Sequence, residues 1–191
     1  MEQIIKNIID EHTEVMNKTL AGQESKIEQA ALVISDCYRN KGKVILCGNG
    51  GSAADAQHIA AELVGKFKLE RKSLAAITLT ANSSVLSALA NDYGFNMIFE
   101  RQIEGLVNNN DVIIGISTSG NSENVIKGML KAKEIGAKNI ALTGEGGGKM
   151  KDIADVLIEI PSTSAPRIQE AHITVGHIIC ELVEKNLFKE N

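Results

Sequence analysis

The sequence contains few aromatic residues, few prolines and few cysteines, and each shortage excludes a class of protein. Aromatic side chains make up 3% of the 191 residues and tryptophan is absent, so a binding site built on ring stacking is not expected. The two prolines interrupt no predicted strand or helix interior. The three cysteines, Cys37, Cys47 and Cys180, are widely spaced. They are typical of buried reduced thiols in a cytosolic protein rather than of a disulfide framework.

The chain also lacks a basic excess, a signal peptide and a long apolar run. Its 20 Lys and Arg residues against 24 Asp and Glu residues give a formal net charge of −4. That balance provides no basic stripe for nucleic-acid phosphates. The first residues show no basic segment followed by an apolar one, and no apolar run approaches the roughly 20 residues of a membrane-spanning helix. We therefore expect a cytoplasmic protein with no nucleic-acid partner and no membrane partner.

What the chain does have is an alternation of short apolar runs with helical patterns. Apolar residues make up 43% of the chain, enough for the core of one domain covering residues 1–191. Strands are predicted at residues 43–47, 74–79, 112–116, 139–142 and 156–160, and helices at residues 54–67, 84–90, 96–106, 123–135 and 166–187. Apolar strands alternating with helices indicate an α/β fold: a three-layer α-β-α sandwich around a five-stranded parallel sheet.

The first forty residues are predicted to be a helical N-terminal extension before this alternation. Their apolar stripe consists of Ile4, Ile5, Ile8, Ile9, His12, Val15 and Met16. A capping-box pattern at Ser25–Glu28 predicts that a second helix begins there. The stripe has to be covered by something. Either the chain's own sheet or another subunit would cover it.

Two polar turns follow predicted strands, at the edge where an open parallel sheet binds ligands. They are Gly48–Ser52 and Ser117–Ser122, the second reading Ser-Thr-Ser-Gly-Asn-Ser. Helix N-termini attract anions, glycine permits close backbone approach, and hydroxyls donate to phosphate oxygens. A helix cap needs one hydroxyl, and Ser117–Ser122 has four. We predict that this serine turn binds phosphate, whereas Gly48–Ser52 is either part of the site or a tight turn with a cap.

Nucleotide-binding motifs fit these turns poorly. Gly48-x-Gly50-x-x-Ala53 matches the dinucleotide fingerprint, but the second strand ends at Leu79-Thr80 with no acidic residue for a ribose hydroxyl. The phosphate-binding pattern G-x-x-x-x-G-K-[ST] fails around Lys149, because its first glycine is replaced by threonine and methionine follows the lysine. A nucleotide ligand is therefore not expected.

Side chains that could bind a metal ion occur on two predicted helices. His58 and Glu62 are four residues apart and project from one helix face. Gln169 and His177 lie about two turns apart on the last helix. Imidazole and carboxylate are ordinary zinc ligands, but a His–Glu pair at this spacing is also a common surface hydrogen bond. Spacing alone leaves both interpretations open.

Four ordered motifs resemble the bacterial phosphoheptose isomerases, whose chain is a sugar-isomerase (SIS) domain. The motifs are Cys47–His58, Asn91–Phe95, Gly115–Ser122, and Arg167–Glu170 with the following His172 and His177. The resemblance covers essentially the whole chain. It implies the flavodoxin-like SIS fold and the reversible aldose–ketose conversion of sedoheptulose 7-phosphate to D-glycero-D-manno-heptose 7-phosphate. This would be the first step of ADP- or GDP-heptose synthesis, for a lipopolysaccharide or capsule precursor.

The resemblance also implies the residues of the site and the assembly. It implies one zinc ion per subunit, held by His58, Glu62, Gln169 and His177. Glu62 would be the catalytic base and His177 the partner acid. The implied substrate contacts are Asn49, Gly50, Gly51, Ser52, Glu62, Asn91, Asp92, Ser117, Thr118, Ser119, Ser122 and Gln169. The family forms homotetramers with sites at subunit interfaces, which implies that residues 1–40 serve oligomerisation.

One departure and two rival functions qualify this resemblance. Many family members carry an acidic residue where this chain has Pro166, which bears on fine substrate contacts but not on the implied ligands. A related, non-catalytic SIS-domain protein binds the bacterial replication initiator but lacks the Glu and last His of the isomerase set. This chain keeps both, as Glu62 and His177. A sugar-phosphate-sensing regulator would normally carry a DNA-binding module, for which 191 residues leave no room. The isomerase is therefore the predicted function.

Overall fold

Five parallel strands form the centre of the molecule in a computed structural model, which describes residues 1–188. The strands are β1 Val44–Gly48, β2 Ala76–Thr78, β3 Val112–Ser117, β4 Lys138–Thr143 and β5 Val156–Glu159. Their order in the sheet is β2-β1-β3-β4-β5, and each neighbouring pair is parallel. The sequence-based prediction of five parallel strands is confirmed, although β2 is shorter than predicted.

Six α-helices accompany the sheet in the part of the chain that the structure describes. They are α1 Glu2–Arg39, α2 Gly51–Val64, α3 Ser83–Tyr93, α4 Ile98–Leu106, α5 Glu123–Ile135 and α6 Ala165–Leu187, with short 3-10 turns at Phe95–Met97 and Gly148–Asp152. Helix α5 has the predicted bounds and ends at Gly136, whose φ of 96° suits glycine. Helix α2 begins three residues earlier than predicted, immediately after the first polar turn.

Side chains alternate between two hydrophobic cores, one on each face of the sheet. From β1, Val44 and Leu46 pack with α1, α2 and α6, whereas Ile45 and Cys47 pack with α4 and α5. Every residue of β1 and β3 is buried. Strands buried on both faces need apolar side chains in both directions, which explains their continuous apolar runs. The predicted three-layer sandwich is therefore confirmed.

The N-terminal extension is one helix, and the predicted break at Ser25 is wrong. Helix α1 runs unbroken for 38 residues, and Ser25 is exposed inside it. The buried side chains on either side of Ser25 continue one stripe: Val15, Thr19, Ile27, Ala30, Ala31 and Ile34. A serine within a helix costs only about 0.5 kcal/mol relative to alanine. Packing of the continuous stripe on the rest of the chain outweighs the local capping pattern.

The first turns of α1 leave apolar side chains uncovered. The exposed fractions of Ile4, Ile5, Ile8 and Ile9 are 58%, 55%, 46% and 57%. We call these four residues the isoleucine patch. Of the two ways to cover the predicted stripe, the chain's own sheet accounts for the part from Val15 onward only. No helix among residues 1–188 has the length and apolarity required to cross a membrane.

Candidate functional site

The two polar turns meet at one edge of the sheet because β1 and β3 are parallel neighbours. Gly48 at the end of β1 is in register with Ile116 near the end of β3. Side chains join the turns directly: the amides of Asn49 and Asn124 exchange two hydrogen bonds, both of 2.9 Å. Asn124 is 3% exposed. The first turn is therefore attached to the start of α5, beside the serine turn.

Hydroxyl groups of the serine turn converge on one another. Ser117 Oγ lies 2.8 Å from Ser122 Oγ and 3.4 Å from Ser119 Oγ. Ser122 occupies the N-cap position of α5, yet its side chain makes no capping hydrogen bond. The hydroxyls thus cluster at a helix N-terminus whose first N–H groups are not satisfied by a side-chain cap at Ser122. Such a cluster is suited to binding an anion.

A glycine-rich loop, residues 144–150, holds the serine turn in place. The backbone N–H of Gly144 donates to Thr118 O at 3.0 Å, and that of Met150 donates to Gly120 O at 3.1 Å. Gly120 has a φ of 63°, and a Cβ there would lie 2.2 Å from Gly147 O. The two loops are in backbone contact that only glycine at position 120 permits.

His172 lies in the protein interior, beside the end of the strand that leads into the glycine-rich loop. It is fully buried, and its Nε2 is 3.1 Å from Thr143 O at the end of β4. Burial lowers the pKa of His172 to about 4, opposed by the hydrogen bond to Thr143. The imidazole is therefore neutral at physiological pH and ties α6 to the strand that precedes the glycine-rich loop.

His58 and Glu62 on α2 come together with His177 on α6. His58 Nε2 is 3.1 Å from Glu62 Oε1 and 3.3 Å from His177 Nε2. One ligand atom from each of the three residues lies within 4.8 Å of the others. Helices α2 and α6 approach closely here, since a Cβ on Gly176 would lie 2.6 Å from Ile59 Cδ1. His177 therefore adds a third possible metal ligand to the hydrogen-bonded pair His58 and Glu62, and we call the three residues the His–Glu–His cluster.

This cluster suits a metal ion. Zinc, a borderline-soft ion, accepts imidazole nitrogens and carboxylate oxygens, and three protein ligands leave a position for water or substrate. The side chains of His58 and Glu62 are 49% and 24% exposed, so an ion could reach them from solvent. The chain thus contains a candidate metal-binding group of His, Glu and His.

Gln169 lies against the first turn. Among the described residues, no recorded hydrogen bond joins it to the His–Glu–His cluster. A Cβ on Gly51 would lie 2.5 Å from Gln169 Nε2, so the amide packs directly over the start of α2. Gly51 and His58 are seven residues apart, about 10 Å along the helix. Glycine at position 51 is explained by this close approach. Gln169 and His177 both lie on α6, eight residues apart.

The remaining residues implied by the resemblance include two at the start of α2 and two at the end of α3. Ser52 is buried at the start of α2, and Gly50 is its N-cap with a φ of 54°. Asn91 and Asp92 are exposed at the end of α3, where Asn91 Nδ2 donates to Asp92 Oδ1 at 2.8 Å. These two residues make no recorded hydrogen bond to the other site residues within residues 1–188.

Two neighbours of the cluster were not identified from the sequence. The ring of Phe67 stacks on His177, with centroids 5.3 Å apart and an interplanar angle of 27°. Burial raises the pKa of Asp55 to about 6, while nearby His58 opposes the shift. Asp55 Oδ2 is buried without a hydrogen-bond partner among the described residues. Neither residue shows a local sequence signal, because each acquires its role from a neighbour in space.

Known proteins are similar to this chain in sequence and in fold. The family model described as the SIS domain matches residues 8–144. The phosphoheptose isomerase of Nitratiruptor is 50% identical over 97% of this chain and 99% of its own, and that of Aquifex aeolicus is 54% identical over 97% of each. The solved structure of phosphoheptose isomerase from Neisseria gonorrhoeae superimposes with a TM-score of 0.92 at 40% identity, covering 96% of this chain and 98% of that chain.

Proposed function

Because the chain belongs to the phosphoheptose isomerase family of SIS-domain proteins, we propose that it interconverts sedoheptulose 7-phosphate and D-glycero-D-manno-heptose 7-phosphate. The observation that carries the proposal is that His58 and Glu62, on the helix that begins at the first polar turn, meet His177 of α6. The proposed acid–base groups therefore lie on or against a helix that begins beside the proposed anion-binding turn. A sugar phosphate needs both, one for each end of the molecule.

The phosphate is proposed to bind in the serine turn. Hydroxyls of Ser117, Ser119 and Ser122, together with Thr118 and Ser52, are the proposed donors. The start of α5 adds N–H groups and the positive end of the helix dipole. Asn49, Gly50, Gly51, Asn91, Asp92 and Gln169 are the proposed sugar contacts. The reactive end of the sugar would then point toward the His–Glu–His cluster.

The proposed reaction moves one proton between adjacent carbons. Glu62 removes a proton from C1 of the ketose while His177 donates a proton to the carbonyl oxygen on C2, which gives an enediol. Protonated Glu62 then returns its proton to C2, and His177 takes the proton of the C1 hydroxyl as the aldehyde forms. The substrate and product have the same formula, so no co-reactant is consumed.

A zinc ion is proposed in each subunit, held by His58, Glu62, Gln169 and His177. The His–Glu–His cluster supports three of these ligands, and Gln169 is proposed as the fourth from the family resemblance. When bound, zinc would polarise the substrate carbonyl or orient the sugar. Elemental analysis of the purified protein tests this assignment. Full activity in zinc-free protein would overturn the ligand set.

The proposed assembly is a cytoplasmic homotetramer with sites at subunit interfaces, in which residues 1–40 of the single SIS domain contribute contacts. The isoleucine patch supports such an assembly, because exposed apolar groups that lie together mark interaction surfaces. The three free cysteines, all buried, are consistent with a reducing compartment. The heptose product would serve as a precursor of lipopolysaccharide or capsule.

Incubation of the protein with sedoheptulose 7-phosphate, followed by proton NMR, tests the proposed activity. We expect an aldose phosphate signal to grow until equilibrium is reached. In deuterated water, solvent exchange at C1 of recovered ketose and at C2 of the aldose would report the enediol step. Absence of any product from zinc-loaded protein would exclude the isomerase and favour the non-catalytic SIS-domain alternative.

A further inference from the structure

A buried ion pair joins α6 to the segment that follows α2. Arg71 Nε donates to Glu184 Oε1 at 2.8 Å, and both side chains are 1% exposed. Replacing a buried ion pair by apolar residues is often neutral or stabilising, so such a pair is weak proof of a contribution to stability. The contacts of this pair indicate instead what it holds in position.

Glu184 fixes the backbone of the segment after α2. Its two carboxylate oxygens accept the backbone N–H groups of Phe67, Lys68 and Leu69, each at 2.9 Å. Burial opposes ionisation of Glu184, but these three donors and Arg71 outweigh it and lower its pKa. A carboxylate with four donors is fully satisfied. Residues 67–69 therefore have one defined position against α6.

Arg71 fixes the end of α2. Its Nη2 donates to Glu62 O at 2.9 Å, and its Nη1 donates to Leu63 O at 3.0 Å. Nη1 also lies within hydrogen-bond distance of Gly65 O and Lys72 O, at 3.2 and 3.0 Å. The last carbonyl groups of a helix have no partner within the helix. The guanidinium supplies those partners and bonds to the backbone of Glu62 itself.

Both halves of the pair lead to the His–Glu–His cluster. Arg71 holds the main chain of Glu62, and Glu184 holds the main chain of Phe67, whose ring stacks on His177. Glu184 also lies seven residues beyond His177 on α6, two helical turns away. The ion pair thus sets how the end of α2 and the middle of α6 lie relative to each other.

We propose that Arg71 and Glu184 are positioning residues that set the separation of Glu62 and His177, and through it the zinc affinity and turnover of the site, without contacting substrate or metal. This inference rests on the proposed function for its turnover component. Its metal component concerns only the relative placement of three side chains. Partners behind metal ligands typically change metal affinity or activity 10- to 100-fold when they are replaced.

Glu184→Gln in the full-length chain tests the proposal. The amide keeps the size of the side chain but loses the charge and turns an NH₂ group toward backbone N–H donors. Metal-free protein is titrated with Zn²⁺ in competition with a chromophoric chelator, and we expect affinity to fall about 10- to 100-fold. We expect kcat to fall similarly while the dissociation constant of inorganic phosphate stays within about twofold, since other contacts hold the serine turn.

Glu181→Gln is the matched control. Glu181 lies on the same helix and pairs with Lys68 of the same segment at 2.7 Å, but it is 30% exposed and accepts no recorded backbone N–H. We expect its zinc affinity and kcat to match those of the unmodified chain. An equal loss in both variants would show that removing any carboxylate from α6 has this effect and would overturn the proposal.

Arg71→Lys provides a second, milder variant in case Glu184→Gln does not fold, as judged by circular dichroism. Lysine can pair with Glu184 but cannot reach all the carbonyl groups that the guanidinium contacts. We expect a zinc affinity between those of Glu184→Gln and the unmodified chain. Folded variants with lower melting temperatures but unchanged zinc affinity and kcat would show a purely structural pair. Failure of the unmodified chain to turn over sedoheptulose 7-phosphate would instead refute the proposed function and leave the zinc titration to decide the metal component.

Discussion

Among single residues, Glu62 has the central place in the proposed chemistry. Its Oε1 lies 3.1 Å from His58 Nε2 within the His–Glu–His cluster, and its side chain is 24% exposed. Glu62→Gln keeps the shape and a carbonyl oxygen but removes the base. Because positioned acid–base groups contribute about 10²- to 10⁴-fold, we expect kcat to fall by at least about 100-fold. Progress of the isomerisation followed by NMR provides the measurement.

The serine turn lies apart from this change, so phosphate binding serves as the internal control for Glu62→Gln. Calorimetric titration with inorganic phosphate should give the same dissociation constant for both proteins. Turnover at the unmodified rate would remove Glu62 from the role of base, whatever its contribution to metal binding.

Asp55 gives a prediction about pH. Its pKa is raised to about 6 in the folded chain by burial, with His58 opposing, against 3.8 for the unperturbed group. Between these values the folded state binds more protons than the unfolded state, so protonation of Asp55 stabilises the fold as pH falls. Above pH 6 the carboxylate of Asp55 is ionised in the folded state, and its burial lowers the free energy of unfolding. After allowance for its partial exposure, we expect Asp55→Asn to stabilise metal-free protein by about 1–2 kcal/mol at pH 8.

Urea denaturation of metal-free protein at two pH values measures this effect. The increase in the free energy of unfolding caused by Asp55→Asn should fall to about half at pH 5, where Asp55 is mostly protonated in the folded state. Asp155, just before β5, is an exposed residue that pairs with Lys138. Asp155→Asn is therefore a control, for which no gain at pH 8 is expected. A destabilised Asp55→Asn protein at pH 8 would contradict the assignment.

Residue types, more than residue partners, could be read from the sequence. The local sequence pattern identifies the hydroxyls of Ser117–Ser122 and the pair His58 and Glu62 as candidate site residues. Asn124 does not, because its partner Asn49 is 75 positions away. Arg71 and Glu184 are 113 positions apart, and each alone resembles an ordinary surface charge. Partners that are distant in sequence leave no periodic signal, so packing has to be known before they can be paired.

Among elements, the buried strands were the most predictable and the start of the chain the least. Strand β3 is apolar on both faces and therefore shows as a continuous run. In α1 the local capping pattern at Ser25 competes with a stripe that continues to Ile34, and packing prevails. Local patterns at exposed residues carry small energies compared with the burial of several side chains.

The contact between the glycine-rich loop and the serine turn gives a prediction at the level of loops. In Gly120→Ala the new Cβ would meet Gly147 O at 2.2 Å, in addition to the strain of a positive φ. The loops would have to separate and distort the hydroxyl cluster. We expect a stability loss of about 2–4 kcal/mol and a KM for the sugar phosphate raised about 10-fold or more.

Gly146→Ala separates backbone strain from the clash. Gly146 also has a positive φ, of 82°, but a Cβ there meets nothing within 4 Å. Its substitution should cost about 1–2 kcal/mol through strain alone and leave KM unchanged. Thermal denaturation and steady-state kinetics of both variants make the comparison. Equal KM values for both variants and the unmodified chain would show that the loop contact does not shape the phosphate site.

For the molecule as a whole, the length of α1 has a direct consequence. Its 38 residues extend about 57 Å, whereas a globular chain of this size is about 40 Å across. No repacking within one chain can cover both ends of such a helix. The isoleucine patch can therefore be covered only by another molecule, which in the proposed assembly is a second copy of this chain.

Replacing Ile4, Ile5, Ile8 and Ile9 with Gln should dissociate the proposed tetramer. Each isoleucine contributes about 1.5–3 kcal/mol when fully buried, so four in every subunit can decide the assembly. Light scattering after size-exclusion chromatography gives the mass. Leu130→Gln, at a residue 42% exposed on α5, is the control and should leave the mass unchanged. A tetramer that persists without the isoleucines would place the interface elsewhere.

The backbone contacts between the glycine-rich loop and the serine turn also bear on selectivity. Thr118 and Gly120 accept hydrogen bonds from that loop through their main-chain oxygens, so the backbone of the proposed phosphate site is held in place without a ligand. A preformed site loses little conformational entropy on binding. Its contacts would be to the anion alone and not to the group attached to the anion. Inorganic phosphate and shorter sugar phosphates should therefore compete for it. Discrimination in favour of a seven-carbon chain would then depend on the distance between this proposed phosphate site and the two imidazoles of the His–Glu–His cluster.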